Sequence, residues 1–311
     1  MEDDDTVTES KGRATLHDMR RLFPVTEETA TRRLSGAPGG GADADQDAAV
    51  GQNTTVGQGT AVGQDAAAEH EWSLDELAEA YAYPSASGGA PEPWLRANMV
   101  STLDGAAQHD GRSQPISTAA DMRIFGTLRG LADVVLVGAE TARQEQYRPA
   151  RAREAFAARR EAAGQGPAPA VAVVSANLDL DFSLPLFTSP LVPTLLLTGA
   201  AAAPDRVAAA EKSGVRVVIA GDGMGVEPAR AVRALADLGH TRLLTEGGPR
   251  LLGQLVAADV LDELCLTVAP MLTAGDAQRI AGGPSVAVPK RFELVSLLEE
   301  AGFLFSRYRR T

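Results

Sequence analysis

From Trp94 onward two hydrophobic periods take turns along the chain, one suited to strands and one to helices. Residues 95–103 form an apolar-rich run that stops at the turn pair Asp104-Gly105, as a strand does. Residues 118–129 predict a helix. Met122, Phe125 and Leu128 recur there at helical spacing, and Asp121 falls in the first turn, where the helix dipole favours an acid. Residues 134–137 are wholly apolar and end at Gly138, the pattern of a strand covered on both faces. Runs of the same kind follow at 170–174, 194–197, 215–219 and 242–245, with helical patterns at 204–212 and 227–238 between some of them. The order then changes to neighbouring strands at 263–268, 292–298 and 303–309. Strand–helix alternation implies an α/β domain over residues 92–311. Its sheet should be mixed and mostly parallel, with helices on both faces and the closing strands antiparallel.

Upstream the pattern fades. Residues 36–70 are rich in Gly, Ala, Asp, Gln and Thr, with valine as the one large aliphatic type. Val-Gly-Gln recurs at Val50, Val56 and Val62, too few copies to bury a core, so a disordered linker is expected in an N-terminal extension of residues 1–91. Within that extension, residues 16–24 carry enough hydrophobic side chains to dock somewhere. Ser73 and Glu76 stand three apart, as a capping box opening a short helix does. The formal charge of −12 divides unevenly, −8 over residues 1–71 and −4 over the rest. No basic stripe accompanies it, which argues against a nucleic-acid groove. A single cysteine, Cys265, excludes an internal disulfide and lies inside an apolar strand, where a core role is expected. With an acidic start, Glu2 to Asp5, and no long apolar run, a cytoplasmic protein is expected.

Ligands of open α/β sheets bind beyond the carboxyl ends of the strands. The most informative such end is Thr245-Glu246-Gly247-Gly248-Pro249, ahead of Leu251, Leu252, Leu255 and Val256 at helical spacing. Two glycines admit a close ligand, Pro249 suits the first helical position, and the helix start is a ready phosphate site; a plain tight turn would use the same residues. Glu246 reads either as a solvated loop carboxylate or as an acceptor for a polar ring or sugar hydroxyl. Asp104 reads as a turn former or a site residue, and Thr141 as an N-cap or a ligand hydroxyl. His17, His70, His109 and His240 are scattered, so no metal site is expected. No G-x-S-x-G elbow is present.

Taken together, three stretches resemble the signatures of the riboflavin-biosynthesis pyrimidine reductases. They are Leu95 to Gly105, Val137 to Arg143, and Thr245-Glu246-Gly247-Gly248-Pro249-Arg250-Leu251-Leu252-Gly253. Asp262-Glu263-Leu264 leading to Ala269-Pro270 resembles the segment after the last. Tyr81-Ala82-Tyr83-Pro84 ahead of Trp94 is similar to the free-standing actinobacterial members, and the zinc deaminase motifs of the bifunctional enzymes are absent. The resemblance implies a dihydrofolate-reductase-like three-layer fold, a homodimer, and NADPH as hydride donor to C1′ of a ribosylaminopyrimidine phosphate. It places Val100, Thr141, Glu145, Ser175 and the stretch Gly248, Pro249, Arg250, Leu251, Leu252 and Gly253 around the cofactor. Asn98, Ser113, Arg129 and Glu246 would face the substrate, with Glu246 the catalytic candidate. The sequence departs from the bifunctional pattern at Asn98, where those enzymes have lysine, at Glu145, which replaces aspartate, and around Arg148 and Arg151, which stand in for their phosphate-gripping pair.

Three readings follow. The first is a 5-amino-6-(5-phosphoribosylamino)uracil reductase. The second is an NADPH-dependent reductase of dihydrofolate or another pterin, which the neutral Asn98 would suit. The third is a non-catalytic nucleotide-binding regulatory protein.

Overall fold

Strand residues that are apolar at every position can be buried on both faces, and two inner strands of the sheet, over residues 134–138 and 170–174, are of this kind. The computed structural model describes residues 19–24, 72–85 and 92–311. Its strands are β1 (Arg20–Phe23), β2 (Trp94–Thr102), β3 (Val134–Gly138), β4 (Ala170–Val174), β5 (Leu195–Thr198), β6 (Arg216–Ile219), β7 (Arg242–Thr245), β8 (Glu263–Ala269), β9 (Phe292–Glu300) and β10 (Phe303–Arg310). They form one sheet in the order β1-β9-β10-β8-β2-β7-β3-β4-β5-β6. Every pair from β8 to β6 is parallel, and the pairs joining β8, β10, β9 and β1 are antiparallel. The mixed, mostly parallel sheet expected from the alternation is therefore present, with strand limits within about two residues of those read from the sequence.

The helices are α1 (Leu74–Ala80), α2 (Ala119–Leu131), α3 (Ala139–Gln144), α4 (Glu154–Ala162), α5 (Pro185–Thr188), α6 (Pro204–Lys212), α7 (Pro228–Asp237) and α8 (Pro249–Ala257). The pleat assigns them to two layers. Val135, Leu244 and Cys265 point to one face and pack with Leu77 of α1, Ile124 and Leu128 of α2 and Phe156 of α4. Val134, Leu136, Leu95 and Ala97 point to the other and pack with Leu235 of α7 and Leu252 and Leu255 of α8. Helix, sheet and helix thus make the three layers. Cys265 is buried, and burial pushes its thiol up to about 12, so it serves the core as expected.

The upstream pieces that are described belong to the first layer. Ser73 caps α1 as predicted: its hydroxyl accepts the Glu76 N–H at 3.2 Å, and its own N–H donates to the Glu76 carboxylate at 2.9 Å. Met19 is buried in the core of that layer, and β1 adds to the sheet edge against β9. The predicted linker at 36–70 and its Val-Gly-Gln repeats lie outside the described residues.

Candidate functional site

The carboxyl ends of β2 and β7 open, on the α2 face, into a cavity of about 1000 Å³. Helix α2 forms one wall through Asp121, Met122, Phe125 and Arg129, spaced so that they share a side of the helix. Of the three residues whose spacing marks the helix, Met122 and Phe125 belong to this wall and Leu128 to the core. The core stripe is Ala120, Ile124, Leu128 and Leu131, whereas Met122 is exposed and both residues face the cavity. A 3.6-residue period fits either side of this helix, so spacing alone could not separate them.

Glu246 follows the last residue of β7 on the same pleat as Leu244 and so points into the cavity rather than into solvent. Its side chain is 3% exposed, which removes the solvated-loop reading. Arg129 grips it with two bonds, Nε to Oε1 and Nη2 to Oε2, each 2.6 Å. The Tyr147 hydroxyl also donates to Oε2. The guanidinium lies 4.3 Å from the Phe125 ring centre and 5.4 Å from that of Tyr147. Burial alone would lower the Arg129 pKa, but the adjacent Glu246 charge outweighs it and raises it. Burial, and then the Glu246 charge, push the Tyr147 hydroxyl well above its ordinary value, so it stays a donor. Tyr147 was missed in the sequence; its one signal is an aromatic residue standing among polar neighbours between Gln146 and Arg148.

Beside Glu246 the backbone itself forms a surface. Gly247 has φ +83°, open to glycine, and the Gly247–Gly248 peptide is cis. The Gly138 N–H donates to the Gly247 carbonyl at 2.8 Å, which joins the ends of β3 and β7. A Cβ on Gly248 would stand 2.2 Å from Thr141 Oγ1, so only glycine fits there. Pro249 takes the first position of α8, as predicted. Thr141 is not the N-cap of α3; that position is Gly138, which offers no side chain, and Thr141 lies one turn inside, facing the cavity. The starts of α3 and α8 therefore meet across glycine backbone, where N–H groups and helix dipoles favour an anion. A dinucleotide's phosphates fit that donor set.

The remaining expected residues divide. Asn98, Val100, Ser113, Thr141, Glu145, Gly248 and Pro249 line the cavity with Arg129 and Glu246. Ser113 donates from its N–H and its hydroxyl to Glu145 Oε1, both at 3.3 Å, and so ties two loops across the mouth. Arg148 and Arg151 line the mouth together with Arg153, and no carboxylate partner is present for any of them among the described residues. Ser175 is not brought in: it is buried at the end of β4, and its hydroxyl accepts the Leu178 N–H at 3.0 Å. Leu251 and Leu252 are buried in the opposite layer, Gly253 abuts the Gly282 carbonyl, and Arg250 is exposed outside the cavity. Asp104 also lies outside; its carboxylate accepts the N–H groups of Thr273 and Ala274 at 3.1 and 2.7 Å and so pins the loop after β8.

Residues 93–300 match the model of the RibD C-terminal domain. The chain belongs to that family. Among relatives of known name, a 2,5-diamino-6-ribosylamino-4(3H)-pyrimidinone 5′-phosphate reductase of Archaeoglobus fulgidus is 24% identical over 220 residues, 70% of this chain and 99% of the relative. The reductase of the same name from Methanothermobacter thermautotrophicus is 28% identical over 196 residues, 62% of this chain and 86% of the relative. Among solved structures, a pyrimidine reductase-like protein of Corynebacterium diphtheriae superposes with a TM-score of 0.64 at 29% identity, over 71% of this chain and 93% of that one. The family-matched stretch contains the whole cavity wall described above. Among the described residues no group of His, Cys, Asp and Glu is arranged to hold a metal, and no helix is long and apolar enough to cross a membrane.

Proposed function

We propose that this RibD-type chain is the NADPH-dependent pyrimidine reductase of riboflavin biosynthesis, acting on 5-amino-6-(5-phosphoribosylamino)uracil or its 2-amino counterpart. The observation that carries the reading is Glu246, buried in the cavity wall by Arg129 and Tyr147 directly beside the Gly247–Gly248 turn. The names of the two archaeal relatives support it.

Bound at the glycine turn, a nicotinamide cofactor would supply the hydride for C1′, while the C1′–O4′ bond breaks and O4′ takes its proton from water. The chain's own residues supply position. The starts of α3 and α8 would hold the cofactor phosphates, with Val100 and Thr141 at their side. Arg148, Arg151 and Arg153 offer unpaired charge at the mouth for the substrate's 5′-phosphate. Asn98 and Ser113 border the remaining space. Two bonds from Arg129 and one from Tyr147 fix the Glu246 side chain, so its role is to hold Arg129 in place and to orient the sugar hydroxyls.

The neutral Asn98 on the cavity floor keeps a pterin reductase as the second reading. Following NADPH oxidation with the phosphoribosylaminopyrimidine and with dihydrofolate in parallel separates the two. Turnover of the pyrimidine is expected, and turnover of dihydrofolate alone would overturn the proposal. We further take residues 92–311 as the catalytic domain, residues 1–91 as an extension of it, and the enzyme as a cytoplasmic homodimer.

A further inference from the structure

A second buried carboxylate faces the same cavity, and the roles assigned above leave it unused. Asp121 in the first turn of α2 is 7% exposed and lines the wall. Its Oδ2 accepts from the Ser117 hydroxyl at 2.5 Å and its Oδ1 from the Thr267 hydroxyl at 2.6 Å. Both partners are neutral. Glu246, by contrast, is saturated by a bidentate guanidinium and a phenol. The two acids stand at opposite ends of the cavity face of α2, because Arg129, which holds Glu246, lies eight residues and about 12 Å along the axis from Asp121.

An ionised carboxylate offers about four acceptor directions, and the two hydroxyls fill one on each oxygen of Asp121. The start of α2 favours its charge. Burial works against the charge and pushes the pKa above the ordinary carboxylate value, with the two hydroxyl bonds pulling it part of the way back. A desolvated acid with neutral partners and free acceptor capacity gains most from a ligand that brings N–H donors.

We propose that Asp121 is the residue that binds the substrate ring, each of its oxygens accepting one of two adjacent N–H groups. This rests on the pyrimidine-reductase reading and adds the ring contact to it. A 2-aminopyrimidin-4-one presents such a pair at ring N3 and its 2-amino group. A 6-aminouracil presents one at ring N1 and its 6-amino nitrogen. Carbonyl-flanked edges are rejected, because their lone pairs would face the carboxylate.

The test is Asp121→Asn, which keeps the volume but turns one acceptor into a donor. KM for the phosphoribosylaminopyrimidine should rise at least ~10-fold, on the scale of one charge-assisted hydrogen bond. NADPH affinity and melting temperature should stay close to those of the unmodified enzyme. An unchanged KM would remove Asp121 from substrate binding. A second measurement needs no variant: competition by 5-amino-6-ribitylaminouracil 5′-phosphate is compared with that of its N1-methyl and N3-methyl forms. Methylation at N1 should weaken binding at least ~10-fold and at N3 only slightly; equal binding of all three compounds, or a loss confined to the N3-methyl form, would refute the contact. Absence of pyrimidine turnover by the unmodified enzyme would strike at the functional reading itself. In that case direct binding of the three uracils still decides the role of Asp121.

Discussion

Two buried carboxylates on one face of the same sheet are built to a common plan and do different things. At the amino ends of β2 and β8, Glu263 is fully buried between Arg96, at 2.6 Å, and Arg307, at 2.7 and 3.1 Å, with the Trp94 indole N–H at 3.2 Å. Arg96 stacks 4.2 Å from the Tyr83 ring. At the carboxyl end of β7, Glu246 has its own arginine, its own aromatic rings and a phenol donor. The difference is in where the arginines spend their remaining N–H groups. Arg96 donates to the Tyr81 carbonyl at 2.8 Å and Arg307 to the Ala80 carbonyl at 2.6 Å, which seals the cluster beneath α1. Arg129 keeps one edge on the cavity, with its side chain 25% exposed. A buried ion pair is thus no sign of function by itself; one that borders unfilled space is.

Breaking the sealed cluster should have the largest effect. Glu263→Gln leaves two buried guanidiniums without their counter-charge, and we expect it to lower the unfolding free energy by about 3–5 kcal/mol, read from denaturant melts. Burial pushes the Glu263 carboxyl up, but Arg96 and Arg307 together outweigh it and hold it below 4.5. The folded pKa is therefore depressed. Its contribution is complete above that ordinary value and is lost as the pH falls through the lower folded one. The acid limb of the stability curve should flatten in the variant, and an unchanged limb would contradict the assignment.

The open cluster should respond in turnover instead. Because Glu246 positions Arg129 and the sugar, Glu246→Gln is expected to cut kcat at least ~10²-fold with NADPH affinity kept; normal activity would dismiss Glu246 from the mechanism. Tyr147→Phe removes one donor to that carboxylate and should lower kcat by about tenfold with little change in melting. Smallest of the series, Arg148→Ala with Arg151→Ala should raise KM for the phosphorylated substrate by about fivefold, an effect that shrinks in high salt. A salt-independent change would speak against a phosphate contact.

Local patterning explains which parts were readable in the sequence. β3 and β4 are runs of apolar residues whose limits hardly need the rest of the chain. The Glu246 turn announced itself through two glycines and a proline. Tyr147 and Asp121 gave no such notice, because what makes them part of the site is contact with Glu246 and Thr267, 99 and 146 residues away. The strand β1 is a similar case, since a four-residue segment of modest hydrophobicity becomes a strand only by pairing with β9. Ser175 differs from both: its hydroxyl stands at a strand end, as a ligand group would, and accepts the Leu178 N–H of its own loop.

The ladder between β2 and β8 sets Arg96 beside Glu263, Asn98 beside Cys265 and Val100 beside Thr267. Alternate residues of one strand thus carry the ionic lock, the cavity floor and the neighbour of the Asp121 anchor, while Leu95 and Ala97 fill the opposite layer. The strand works as a ruler whose zero mark is the Arg96–Glu263 pair. Gaining or losing one residue within Trp94–Thr102 would exchange its two sides, setting Asn98 among leucines and an alanine over the cavity. Length changes among descendants of this chain should therefore spare β2 and gather in exposed loops such as residues 109–112, where no such ruler is read.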